Sequence, residues 1–270
     1  MIPPAVDLAW LKANPDAVIA DVRWYLDGRS GREAYEQGHL PGAVFVDLDR
    51  DLAGPPGNGA GRHPLPEANQ FAAAMGRLGV SRDTTVVAYD DAGGTVAARL
   101  VWMLRALGTE AALLDGGIAA YGGSLQSGTV EPAGTLYPAR PWPAALLADI
   151  GDASDPANVV IDAREPARYR GDLEPVDPRA GHIPGARNLP CRSNLDAAGR
   201  FLPATELRRL FLAAGAGPGT VSYCGSGVTA CHNLLALELA GLGPGRLYPG
   251  SWSEYSSEPS RPAEIGPYRL

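Results

Sequence analysis

Short apolar runs alternate with segments of helical spacing along most of this chain. Ala17-Val18-Ile19-Ala20 is apolar and ends at Asp21. Thr84-Thr85-Val86-Val87-Ala88-Tyr89 and Ala111 to Leu114 are further runs of strand length. Between these two, Ala97 to Leu107 carries apolar residues at helical spacing and stops at Gly108. Later, Val221-Ser222-Tyr223 reads as a strand. Thr229 to Leu239 reads as a helix, with Ala230, Leu234, Leu235 and Leu237 on its apolar positions and Gly241 closing it. Apolar runs too short for helices, alternating with helical segments, predict a mainly parallel sheet flanked by helices, an α/β fold.

Two stretches break the alternation. Residues 122–142 are rich in Gly, Ser and Pro without apolar periodicity, which predicts a linker. Residues 54–66 (Gly54-Pro55-Pro56-Gly57-Asn58-Gly59-Ala60-Gly61-Arg62-His63-Pro64-Leu65-Pro66) form a long irregular segment. A loop of that length inside a compact domain is often functional, and otherwise is a surface loop.

The chain also repeats itself. Asp21-Val22-Arg23 leads to Gly38-His39-Leu40-Pro41-Gly42-Ala43, and Asp162-Ala163-Arg164 leads to Gly181-His182-Ile183-Pro184-Gly185-Ala186. Val87-Ala88-Tyr89-Asp90 matches Val221-Ser222-Tyr223-Cys224, and Leu113 to Tyr121 matches Leu247 to Tyr255. A period near half the chain is a domain duplication rather than a solenoid. The expected division is a first domain over 1–122, a linker over 123–142 and a second domain over 143–270. The aligned position is Asp90 in the first copy and Cys224 in the second, so the chemistry is expected in the second.

Length and charge narrow the classes. At 270 residues each half is large enough to bury its own core. A net charge of −7 disfavours a general nucleic-acid binder. Cys191, Cys224 and Cys231 are an odd and low count that does not read as a disulfide framework. The N-terminal segment lacks a basic and an apolar signal region, and no run approaches the ~20 apolar residues of a membrane span. The expectation is a cytoplasmic protein with no membrane association. His39, His63, His182 and His232 show no metal-ligand spacing with the cysteines, and neither glycine-rich nucleotide motif is present, so no cofactor is expected.

Cys224-Gly225-Ser226-Gly227-Val228 lies between the strand and the helix. Backbone N–H groups and the positive end of a helix dipole gather at such a junction and favour an anion. That environment favours thiolate, the reactive form of cysteine. The alternative is an inert buried thiol at a strand end. Cys191 after Pro190 and Cys231 within the helix have no such loop and are expected to be structural. His39 and His182 sit in turn motifs and are likewise expected to be structural.

Cys224-Gly225-Ser226-Gly227-Val228-Thr229-Ala230, the Gly-His-Ile-Pro-Gly-Ala turn and Gly250-Ser251-Trp252 together resemble the tandem-domain rhodanese-type sulfurtransferases, in particular their 3-mercaptopyruvate branch. The resemblance covers nearly the whole chain and implies two rhodanese-like domains, the first inactive. It implies that Cys224 takes sulfur from a small anionic donor, 3-mercaptopyruvate or thiosulfate, as a persulfide. A thiol, cyanide or a protein cysteine then accepts it. Gly225, Gly227, Val228 and Thr229 would line the donor. Arg168, in Ala167-Arg168-Tyr169-Arg170-Gly171, matches a substrate-carboxylate arginine. Arg179 stands near a second one, in a segment (Leu173 to Arg179) shorter than the family form. Asp49 and His63 resemble an acid and a histidine that, with Ser226, would relay a proton.

Two other readings compete. A cysteine phosphatase or arsenate reductase needs an arginine closing a Cys-x5-Arg loop, and position 230 is Ala. A non-enzymatic interaction module would have no use for the Cys224 loop.

Overall fold

The structure, a computed structural model, describes residues 1–57 and 59–268. Asn58, within the irregular 54–66 segment, lies outside them. The chain divides into two compact units. The first comprises residues 1–54, 65–142 and 195–201. The second comprises residues 55–64, 143–194 and 202–270.

In the first unit, strands β1 (Ala5–Val6), β2 (Val18–Asp21), β3 (Val44–Phe45), β4 (Val86–Tyr89) and β5 (Ala111–Leu114) form a parallel sheet in the order β1-β5-β4-β2-β3. The central strand β4 is buried at every position, as a run of apolar residues with no polar alternation requires. Ala98–Ala106 is the helix expected between β4 and β5. Residues 123–142, read as a linker, pack within this unit. His39 and Gln126 exchange two backbone hydrogen bonds of 2.9 Å, and the Thr135 N–H donates to the Gly76 carbonyl at 2.8 Å. These are backbone bonds, which leave no mark on composition.

The second unit holds β6 (Val160–Asp162), β7 (Arg187–Asn188), β8 (Val221–Tyr223) and β9 (Arg246–Leu247), again parallel, in the order β7-β6-β8-β9. The helix Ala230–Leu239 leaves the far side of the Cys224 loop and is buried from Ala230 to Leu237. The core gathers Val160, Ile183, Val221, Tyr223, Tyr248, Trp252 and Tyr255.

Duplication extends to individual bonds. Arg23 pairs with Asp21 and donates to the Gly38 carbonyl, and Arg164 does the same with Asp162 and Gly181, the carbonyl bond being 2.7 Å in both copies. The Tyr35 hydroxyl donates to Ala43 O and the Tyr169 hydroxyl to Ala186 O. His39 stacks on Tyr35 and His182 on Tyr169, with each Nδ1 bonded to that tyrosine's carbonyl at 2.8 Å. Both histidines therefore hold turns, as their positions in the sequence predict.

Candidate active site

Cys224 follows β8, an interior strand flanked by β6 and β9, so it emerges at the carboxyl end of the sheet where α/β proteins bind ligands. It is 2% exposed, and its Sγ accepts the Gly227 N–H at 3.1 Å. Gly227 has φ +76°, and a Cβ there would lie 2.5 Å from the Pro249 carbonyl oxygen. Only glycine brings this N–H to the sulfur without strain.

The loop is fastened to the turn after β9. Ser251 has φ 54°, the one positive φ outside glycine among the described residues. Such a residue stores about 1–3 kcal/mol of strain and needs a compensating role. Its Oγ accepts the Cys224 N–H at 3.1 Å and donates to Tyr248 O at 2.9 Å. The Trp252 N–H donates to Cys224 O at 3.0 Å and the Ser253 N–H to Gly225 O at 2.9 Å.

The irregular segment of residues 55–64 belongs to this unit and completes the site. The Arg62 N–H donates to Ser253 Oγ at 3.0 Å, which anchors the segment. The next residue, His63, sets its Nδ1 2.8 Å from Ser226 Oγ, and both side chains are buried. A Cβ on Gly225 would stand 3.0 Å from Arg62 Nη2 and 3.3 Å from Arg168 Nη1. Two guanidinium groups therefore border the residue next to Cys224.

Those arginines are embedded in carboxylates. Arg168 donates to Glu174 through Nε (3.2 Å) and Nη2 (2.6 Å), and from Nη2 to Asp177 (3.0 Å). Arg62 Nη1 donates to the other oxygen of Asp177. Arg164 joins Asp162 to Glu174. Burial pushes the Glu174 carboxyl up, but Arg168 and the backbone N–H groups of Asp177 and Val176 outweigh it, so Glu174 sits below the usual range. Burial dominates at Asp177 and, with Glu174 beside it, holds that carboxyl above its usual range against the pull of Arg62 and Arg168.

Val228 is buried and Thr229 half-buried where the loop enters the helix. Arg179 is not aimed at the loop as a substrate arginine would be. Its Nε donates to Ser256 O, Nη1 to Arg261 O and Pro259 O, and Nη2 to Tyr255 O. A guanidinium committed to four backbone carbonyls is holding the C-terminal segment. Asp49 belongs to the first unit, where its Oδ2 accepts from the Trp24 indole at 3.1 Å. Cys231 donates to Gly227 O at 3.4 Å, and burial pushes the Cys191 thiol up to about 12.

Asp90, the first copy's counterpart of Cys224, is fully buried, and burial holds its carboxyl above the usual range against the pull of the backbone N–H groups around it. Its carboxylate accepts four backbone N–H groups, from Ala92, Gly94, Val96 and Ala97, at 2.7–3.0 Å. In the second copy the same junction turns the Gly227 N–H toward Cys224 Sγ.

A rhodanese-like domain model matches residues 6–124 and 143–258. This chain belongs to the rhodanese family. The rhodanese is 43% identical over 276 residues to a probable 3-mercaptopyruvate sulfurtransferase of Pseudomonas aeruginosa, covering 97% of each chain. It is 42% identical over 277 residues to a putative thiosulfate sulfurtransferase of Mycobacterium tuberculosis, covering 97% of this chain and 96% of that one. Its fold superposes on the crystal structure of a 3-mercaptopyruvate sulfurtransferase of Escherichia coli with a TM-score of 0.80 at 33% identity, over 93% of this rhodanese and all of that chain.

Arg62, Ser251, Glu174 and Asp177 stand around the Cys224 loop, and sequence reading missed them. The position of Arg62 beside His63 in an irregular segment was the available signal. Ser251 lies in the Gly250-Ser251-Trp252 motif, but its type gives no sign of the positive φ on which its bonds depend.

Proposed function

We propose that this chain is a sulfurtransferase that moves sulfur from 3-mercaptopyruvate through a persulfide on Cys224 to a thiol, cyanide or protein-cysteine acceptor. The observation that carries the reading is the Cys224 loop. The sulfur is held by a backbone N–H, Ser226 two residues on pairs with His63, and two arginines border the residue between them.

The donor's carboxylate is held by Arg168 and Arg62. The Cys224 thiolate attacks the donor sulfur. The carbon–sulfur bond breaks, and its electron pair leaves with pyruvate as the enolate. Ser226, backed by His63, takes the donor's thiol proton and passes it to the enolate carbon. The products are pyruvate and a Cys224 persulfide anion, so atoms and charge balance without an added reductant. The Gly227 N–H and the helix starting at Ala230 stabilise the negative sulfur. An acceptor thiolate then attacks the outer sulfur and restores Cys224.

Charge favours this donor over thiosulfate. Gly225 and Ser226 after the cysteine are neutral and add no cation of their own for a second anionic charge. A thiol proton also gives Ser226 and His63 a task, whereas thiosulfate has none to move. The three cysteines are free, which suits a reducing cytoplasm, and no helix among the described residues is long and apolar enough to cross a membrane. Measuring kcat/KM for the two donors side by side tests the donor choice. A higher value for 3-mercaptopyruvate is expected, and a higher value for thiosulfate overturns it.

A further inference from the structure

We infer that Asp177 sets how much negative charge the donor site accepts, and so acts as a specificity-determining residue for monoanionic donors. This rests on the donor reading above and adds the group that enforces it. Asp177 is buried, with its side chain 2% exposed, and its two oxygens are divided between two guanidinium groups. Arg62 donates to Oδ1 and Arg168 to Oδ2. These are the same two arginines that border Gly225. The clamp that faces the donor therefore already holds one carboxylate, supplied by the protein.

Arg62, Arg164 and Arg168 are joined to Asp162, Glu174 and Asp177, three cations against three carboxylates. The cluster has no surplus positive charge. Arg62 Nη2 and Arg168 Nη1 still border Gly225, but each further negative charge on the donor meets Asp177 and Glu174. Glu174 is fixed by two arginines and by the Val176 and Asp177 N–H groups, so it shapes the turn. Asp177 links the two donor-facing arginines directly, and its removal unbalances the pair that the donor touches.

The test is Asp177→Asn, which keeps shape and removes charge, with kcat/KM measured for thiosulfate and for 3-mercaptopyruvate on the same preparation. The ratio of the two values is independent of the active fraction, so partial misfolding does not enter it. One charge removed at roughly 5 Å in an effective dielectric of about 20 changes the binding of each donor charge by roughly 200–300-fold before screening, so the dianion gains more. After solvent screening the thiosulfate-to-mercaptopyruvate ratio is expected to rise by about 10–100-fold. Asp177→Glu, which restores the charge, should leave the ratio within about threefold of wild type. A ratio unchanged in Asp177→Asn, or raised equally in Asp177→Glu, overturns the inference. A wild-type preference for thiosulfate overturns the donor reading instead, and the shift on Asp177→Asn still decides the role of Asp177.

Discussion

Replacing Arg168 by Ala separates a donor-binding arginine from a merely structural one. Arg168 is 15% exposed at the side chain, lies against Gly225, and makes three hydrogen bonds to Glu174 and Asp177. Two costs follow from its loss. The donor loses a charge-assisted hydrogen bond, worth about 1.5–3 kcal/mol, which is roughly 10–200-fold in kcat/KM. The fold loses a buried ion partner, and removing one partner of such a pair costs about 3–5 kcal/mol when the other charge is left alone. Neither carboxylate is left alone here. Glu174 keeps Arg164 and two backbone N–H groups, and Asp177 keeps Arg62. The stability cost is then nearer about 1–3 kcal/mol, a fall in Tm of several degrees in a protein of this size. Activity assayed well below the melting transition isolates the first cost. The expected result is a 10–200-fold loss in kcat/KM for 3-mercaptopyruvate, most of it in KM, with Arg168→Lys intermediate. A lowered Tm with unchanged kcat/KM would refute the donor role and leave Arg168 as a brace for Glu174.

Other perturbations address the loop and its surroundings. Gly227→Ala forces a side chain into a left-handed position, at about 1–2 kcal/mol, and against Pro249 O, so the N–H to Cys224 moves. Loss of one such donor is expected to lower kcat by about 100-fold, and wild-type turnover would show that this N–H does not stabilise the sulfur. Ser226→Ala should lower kcat with 3-mercaptopyruvate by about 100-fold or more while sparing thiosulfate, which has no thiol proton; equal losses with both donors would remove the relay from the mechanism. Burial raises the Cys191 thiol to about 12 in the folded protein, whereas the unfolded thiol ionises near 9. The unfolded state then binds fewer protons above pH 9, so stability falls between about pH 9 and 12. Cys191→Ala should flatten that part of the denaturation profile, and an unaltered slope would assign it to other groups.

Much of this architecture was legible because it is written in local pattern. Val221-Ser222-Tyr223 and Ala111 to Leu114 are the observed strands β8 and β5, and the Thr229–Leu239 reading differs from the observed helix by one residue. The duplication was legible because the same bonds recur: Asp21–Arg23 and Asp162–Arg164 keep their spacing, since each pair braces the same turn. Cys224 was legible from a strand–glycine–helix junction. The arginines beside Gly225 were only half legible. Arg168 lies in a recognisable motif, but Arg62 reaches Gly225 from a segment over a hundred residues away in sequence, and Arg179 turns its guanidinium to backbone carbonyls that no sequence pattern reveals. Long-range placement and backbone acceptors are set by the assembled fold, and residue type alone does not encode them.

The central claim is that Cys224 alone carries the transferred sulfur. Intact mass measured after a brief exposure to 3-mercaptopyruvate, followed by peptide mapping, tests it directly. The expected result is one added sulfur atom on Cys224, lost on adding a thiol acceptor, retained in Cys191→Ser and Cys231→Ser, and absent in Cys224→Ser, which keeps the wild-type melting profile. Sulfur transfer by Cys224→Ser, or a stable persulfide mapped to Cys191 or Cys231 in the wild-type protein, would contradict the account.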